Sequence, residues 1–172
     1  KLTLRDQGTD PTRLESGTDL LLWARATGLI AGTVAYWKFD EGSGAIANDS
    51  SGNNNNGTLQ NGPLWTTGKI NQALSFDGTD DIVSSTDIPF GGSSPISVCA
   101  WVNPATLTGL HGIVAQGTEI VLRNSDAYIE FILNSFTSND RVTVPSGEIL
   151  NNWHFVCGTY ASGGDMVVYV DA

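Results

Sequence analysis

Between Thr33 and Val170 the chain is a succession of short β-prone runs, each closed off by Gly, Pro, Asn or Asp, and that punctuation leaves few folds open. Runs rich in Val, Ile, Tyr, Phe, Trp and Thr occupy 34–39, 73–76, 81–84, 96–102, 112–115, 119–122, 128–133, 141–144, 153–160 and 166–170. No stretch after position 33 has a helical period. Many short strands with turn signals between them predict an all-β chain, folded as an antiparallel sandwich or barrel. In 96–102 the residues Ser97, Cys99 and Trp101 share one face, and in 153–160 Trp153, Phe155 and Cys157 share one face. Both runs are apolar on the opposite face too, which predicts strands buried on two sides.

The first 32 residues read differently. Residues 1–18 are polar, with turn signals at Gly8 and Asp10-Pro11, and 1–32 is expected to be a linker or the end of a preceding module. Within it, DLLLWARA at 19–26 has no clean period, so a strand and a helical turn both stay open. The polar run NDSSGNNNNGTLQN at 48–61 reads as an exposed loop.

The formal charge of −10 comes from 8 Lys+Arg against 18 Asp+Glu. A nucleic-acid binder needs clustered cations to displace phosphate counterions, and none cluster here. Anionic membrane surfaces are disfavoured for the same reason. The most apolar stretch, 26–37, is too short to span a bilayer, so no membrane insertion is expected. The start of the chain has neither an initiator Met nor a signal-peptide layout, which reads as an internal piece of a longer precursor.

Cys99 and Cys157 each lie inside a strongly β-like run. From pattern alone they are either disulfide partners on neighbouring strands or two buried thiols acting as small hydrophobes. Neither has a His at metal-ligand spacing.

Hydrolysis of glycosides needs two carboxylates facing one cleft. Glu119, Glu130 and Glu148 stand apart and lack paired partners, so the chain is expected not to be an enzyme. His111 and His154 have no Gly-x-Ser-x-Gly elbow to serve. Sugar recognition needs aromatic platforms beside polar groups. The candidates for ligand binding are Trp65, in a loop after Pro63-Leu64, with Tyr128 and Glu130 on the strand at 128–133. An outward-facing strand charge is the plainer reading of Glu130. Calcium needs several oxygen ligands. Asp77, Asp80 and Asp81 cluster in one turn (FDGTDD), Asp40 and Asp49 flank the first loop, and Asp40, Asp77, Asp80 and Asp81 are the candidate calcium ligands. Turn capping by Asp side chains is the competing explanation.

Taken in order, several segments resemble one family. VAYWKFDEGSG at 34–44, DSSGN at 49–53 with GTL at 57–59, GKINQALSFDG at 68–78, ISVCAWV at 96–102, WHFVCGTY at 153–160 and VYVD at 168–171 resemble laminin-G-like domains of the concanavalin A-like lectin/glucanase group. The resemblance covers 33–172 and implies a two-sheet antiparallel jelly-roll sandwich. The family continues past the Tyr-Val-Asp hairpin with further strands, so it also implies a sandwich incomplete at its C-terminus, with open edges. The second half is similar to pentraxins as well. That likeness implies a Cys99–Cys157 disulfide, and hence an oxidising compartment. Pentraxins carry an Asp-Asn pair before a Glu-Ile that binds calcium. Gly117-Thr118 stands there before Glu119-Ile120, so their phosphorylated-headgroup binding is not implied.

The resemblance implies a secreted or cell-surface recognition module for a glycan or an extracellular protein, working beside other domains of the same polypeptide. A ligand-free spacer attached to an enzyme is the alternative, and a degenerate glycoside hydrolase is a third reading.

Overall fold

Strands with apolar residues on both faces must be covered on both sides, and the two runs that read this way, 96–102 and 153–160, become inner strands. The computed structural model describes residues 20–24, 32–85, 95–116, 120–126, 128–133, 141–145, 149–161 and 165–171. Its strands in chain order are β1 (Leu20–Ala24), β2 (Thr33–Trp37), β3 (Ile46–Ala47), β4 (Gly57–Gln60), β5 (Leu64–Thr67), β6 (Gln72–Ser75) and β7 (Ile82–Ser84). They continue as β8 (Ile96–Val102), β9 (Leu110–Gln116), β10 (Ile120–Ser125), β11 (Tyr128–Leu133), β12 (Arg141–Pro145), β13 (His154–Tyr160) and β14 (Met166–Val170). Every described element is a strand and every described pairing is antiparallel.

A five-stranded sheet runs β14-β13-β8-β1-β2 and a four-stranded sheet runs β12-β11-β10-β9. Two smaller sheets are β3-β4-β7 and β5-β6. Between the two large sheets lies the core. Ile96, Val98 and Ala100 of β8 and Val156 of β13 meet Ile120 and Leu122 of β10 and Ile129, Phe131 and Leu133 of β11. Burying each large apolar side chain contributes about 1.5–3 kcal/mol. Phe131 is wholly buried, and Gly158 of β13 is what admits it, because a Cβ at Gly158 would overlap the Phe131 ring. The strand spacing predicts a sandwich or a barrel, and the structure is the all-β sandwich that the resemblance implies.

The residues of β8 and β13 that point away from this core form a second layer. Cys99, Phe155 and Cys157 are buried there under Tyr36, Trp101 and Tyr169. Cys99 and Cys157 are direct cross-strand partners and are joined as a disulfide.

Two expectations change. Leu20–Ala24 falls inside the segment read as a linker or the end of a preceding module, yet β1 lies between β8 and β2, paired to both. Its apolar run lacked a period because a strand within a sheet needs none. The rest of 1–31 lies outside the described residues. The segment 48–61 is also not all loop, since Gly57–Gln60 forms β4 against β3 and β7. Gly57 is buried there, where a Cβ would come within 2.5 Å of Val83 Cγ1.

The polar part of that segment covers the free side of β2. The carbonyl of Thr33 accepts Asn53 Nδ2 at 2.8 Å, and that of Val34 accepts Ser51 Oγ, Asn53 Nδ2 and Asn55 Nδ2 at 3.2, 3.1 and 2.9 Å. Asp49 Oδ1 takes the Tyr36 N–H at 2.9 Å, and the Ser50 N–H donates to the Tyr36 carbonyl at 2.7 Å. Side-chain amides and a carboxylate thus stand in for a neighbouring strand along β2.

Asp49 holds this cover together. It also accepts the Ser51 N–H at 2.8 Å, the Ser51 hydroxyl at 2.7 Å and the Asn55 N–H at 2.9 Å. Burial pushes its pKa up, but the donors from Ser51, Tyr36 and Asn55 outweigh that and hold it below the ordinary 3.8. The unfolded chain therefore takes up this proton first on acidification. The stabilisation is complete above the ordinary carboxylate range and is lost as pH falls through the depressed folded value. Asp49→Ala is expected to cost about 2 kcal/mol at neutral pH. In urea unfolding, the gap from the parent chain should shrink below pH ~4. A gap independent of pH would exclude the ionised carboxylate as the source.

Candidate functional site

On the outer side of the four-stranded sheet, register places two rows of side chains next to each other. Ser125 of β10 pairs with Leu110 of β9 and with Tyr128 of β11, which pairs with Pro145 of β12. Leu110, Tyr128 and Pro145 are exposed, Leu110 at 63% and Tyr128 at 47%, so this row is an apolar rim. The neighbouring row is Gly112, Arg123, Glu130 and Thr143. Arg123 Nε and Nη2 both reach Glu130 Oε2 at 2.8 Å. Glu130 is 4% exposed, so its charge is matched where it is buried. Gly112 is exposed, and a Cβ there would meet nothing within 4 Å. The space over the floor of this row is open at Gly112.

The end of the sheet is fixed by a turn. The Gly109 N–H donates to Asp126 Oδ1 at 2.8 Å, and the Asp126 N–H donates to the Gly109 carbonyl at 2.9 Å. That clamp joins the start of β9 to the β10–β11 hairpin and sets Leu110 in one row with Ser125 and Tyr128. Tyr128 and Glu130, two of the sequence candidates, therefore share one face in adjacent rows. Arg123 was missed. Its signal was available: Arg123 and Glu130 stand symmetrically about the hairpin turn and carry opposite charge.

Trp65 stands elsewhere. It belongs to β5 rather than to a loop, is half-buried, and donates its indole N–H to the Gly44 carbonyl at 2.9 Å. Glu119 and Glu148 lie outside the described residues. His111 Nε2 contacts the Thr108 carbonyl at 2.8 Å, and His154 Nδ1 pairs with Asp171. Asp171 also ties β14 to β13, since its Oδ1 accepts the Phe155 N–H and its own N–H donates to the Phe155 carbonyl, both at 2.9 Å. Burial raises the Asp171 pKa, but the His154 side chain, the Phe155 N–H and the charges of His154 and Lys69 bring the net value down.

Of the candidate calcium ligands, Asp77, Asp80 and Asp81 come together, with one carboxylate oxygen from each lying within 4.8 Å of the others. Local turn chemistry sets them. Asp77 Oδ1 accepts the N–H groups of Thr79 and Asp80 at 2.8 and 3.4 Å, and Asp81 Oδ2 accepts the Asp77 N–H at 2.9 Å. The Thr79 N–H is the chief cause of an Asp77 pKa below the ordinary value. Asp77 and Asp80 are exposed and Asp81 is half-buried, and this group of oxygens could hold a metal ion. Asp40 is not part of it. It accepts Asn71 Nδ2 and the Gln72 N–H at 3.4 and 3.3 Å, so it braces the turn before β6.

No helix among the described residues is long and apolar enough to cross a membrane, and a disulfide is typical of extracellular proteins. No curated protein and no solved structure matches the chain. A family model described as concanavalin A-like lectin/glucanases superfamily, of the laminin-G type, matches residues 77–172. That span runs from the acidic turn through β14 and takes in the whole four-stranded sheet with its rim and floor. The chain belongs to the concanavalin A-like lectin/glucanases superfamily.

Proposed function

We propose that the chain is a non-catalytic extracellular recognition module that binds carbohydrate across the outer side of the four-stranded sheet. The observation that carries this reading is Tyr128, about half exposed, one row from the Arg123–Glu130 pair and from the open space at Gly112. A sugar ring offers an apolar face for an aromatic ring and hydroxyls for a charged floor, and these two rows supply both. The non-catalytic part is supported by Glu130, whose carboxylate is engaged by Arg123 rather than facing a second acid across a cleft. The disulfide supports work outside the cell, within a secreted or surface polypeptide. The rim would accept an apolar side chain of an extracellular protein in the same way.

We place calcium at Asp77, Asp80 and Asp81 as the cofactor of this module. Their exposure points to a weak site, of the kind extracellular modules use.

A glycan array followed by calorimetric titration of the best ligand tests the reading. Tyr128→Ala is expected to weaken binding about tenfold or more. Gly112→Val should abolish it while leaving the unfolding midpoint unchanged, because its side chain enters open space. The same titration in chelator should show weakened binding if the acidic turn needs its ion. A ligand-free spacer would give no saturable binding, and a ligand indifferent to both substitutions would place the site elsewhere. Release of reducing sugar from any β-glucan would overturn the non-catalytic part.

A further inference from the structure

We infer that Asn61 is a site of spontaneous covalent modification, converting to aspartate and isoaspartate and so adding a carboxylate to the acidic turn. Two Asn-Gly steps, Asn56-Gly57 and Asn61-Gly62, lie close together in the sequence and differ sharply in surroundings. The reaction needs the Gly N to reach the Asn Cγ, and Gly permits this best because it has no Cβ in the way. The Gly62 nitrogen bonds to Asn61 Cγ as the Cγ–Nδ2 bond breaks. The Gly62 amide proton leaves with Nδ2 as ammonia, giving a succinimide. Water then opens the ring at either carbonyl, giving aspartate or isoaspartate.

Asn61 and Gly62 are both exposed and belong to no strand. Their φ values are 68° and 118°, so both lie in a left-handed turn. The Asn61 side chain donates from Nδ2 to the Asp80 carbonyl at 2.6 Å. Breaking one exposed side-chain bond frees the amide to react. Asn56 is held in another way. Its Oδ1 accepts the Asp49 N–H at 2.8 Å, and Gly57 is buried in β4 opposite Ala47. A Cβ on Gly57 would lie 2.5 Å from Val83 Cγ1, so no room is left there for the backbone to swing. Reaction at Asn56 must wait for the β3–β4 ladder to open.

The consequence falls on the neighbouring acids. The donor that holds the Asp80 carbonyl is replaced by a carboxylate, beside Asp81, whose Oδ1 lies 3.7 Å from where a Gly62 Cβ would be. The turn loses a tie and gains like-charge repulsion. This holds whether or not the turn carries an ion.

Folded chain is incubated at mildly alkaline pH, and both Asn-Gly peptides are mapped by mass spectrometry, with isoaspartate identified by electron-transfer fragmentation. Asn61 is expected to convert ~10-fold or more faster than Asn56, and the two rates should converge when the chain is unfolded in urea. Equal rates in the folded chain, faster conversion at Asn56, or an Asn61 that stays intact would overturn the inference. Asn61→Asp, the reaction product, is expected to speed amide exchange at Thr79 and Asp80 about tenfold at low salt. Unchanged exchange would sever the modification from the acidic turn.

Discussion

Replacing Cys99 and Cys157 together by alanine is expected to lower the unfolding free energy by about 4 kcal/mol. The bond spans 58 residues, and closing a loop of that length removes this much chain entropy from the unfolded state. The loss should appear in the urea midpoint, since the folded partners change little. Cys99 and Cys157 are buried under Trp101, Phe155, Tyr36 and Tyr169, and these rings remain in the variant. Reductant alone should act slowly on the native chain, because both sulfurs must first be uncovered. A midpoint that hardly moves would mean that the aromatic layer, and not the covalent link, holds β8 to β13.

Gly158 and Phe131 give the second large effect, and it is a coupled one. Phe131→Ala is expected to cost about 4 kcal/mol, because a wholly buried ring leaves a hole between the sheets. Gly158→Ala is expected to cost about 3 kcal/mol, because its methyl would sit inside that ring and force β13 away from β11. In the double variant the methyl enters the space that the ring vacates. Its cost should fall about 2 kcal/mol or more short of the sum of the two single costs. Urea unfolding of the parent, the two single variants and the double variant checks this. Additive costs would show that the two sites do not meet.

These contacts mark how far the fold is legible in one sequence. The strands Ile96–Val102, Tyr128–Leu133 and Met166–Val170 have the bounds that alternation and β-branching predict, because their apolar content is high and turn residues bound them. Ile46–Ala47 and Leu64–Thr67 are too short to show a period, and Gly57–Gln60 is masked by the asparagines before it. Their strand identity comes from partners distant in sequence, as with β4 against β7. The disulfide needed the family likeness, since alternation alone left the thiols open.

The candidate site divides along the same line. Asp77, Asp80 and Asp81 meet because one turn bends them together, which local sequence foretells. Asp40 joins that candidate set as an acid flanking the first loop, whereas its position is set by the backbone at Gln72 across a long separation. Tyr128 and Glu130 share a face by strand parity, but their value as a surface depends on Gly112 and Arg123, which hairpin register supplies.

A surface segment spelled NDSSGNNNN would attract a protein engineer looking for somewhere to graft a foreign peptide. The hydrogen bonds between the side chains of Asp49, Ser51, Asn53 and Asn55 and the backbone of 33–36 make it a poor host. Such a graft would strip the margin of a β-sheet bare, and bare margins recruit neighbouring molecules into fibrils. Its monotonous spelling conceals a safeguard against polymerisation.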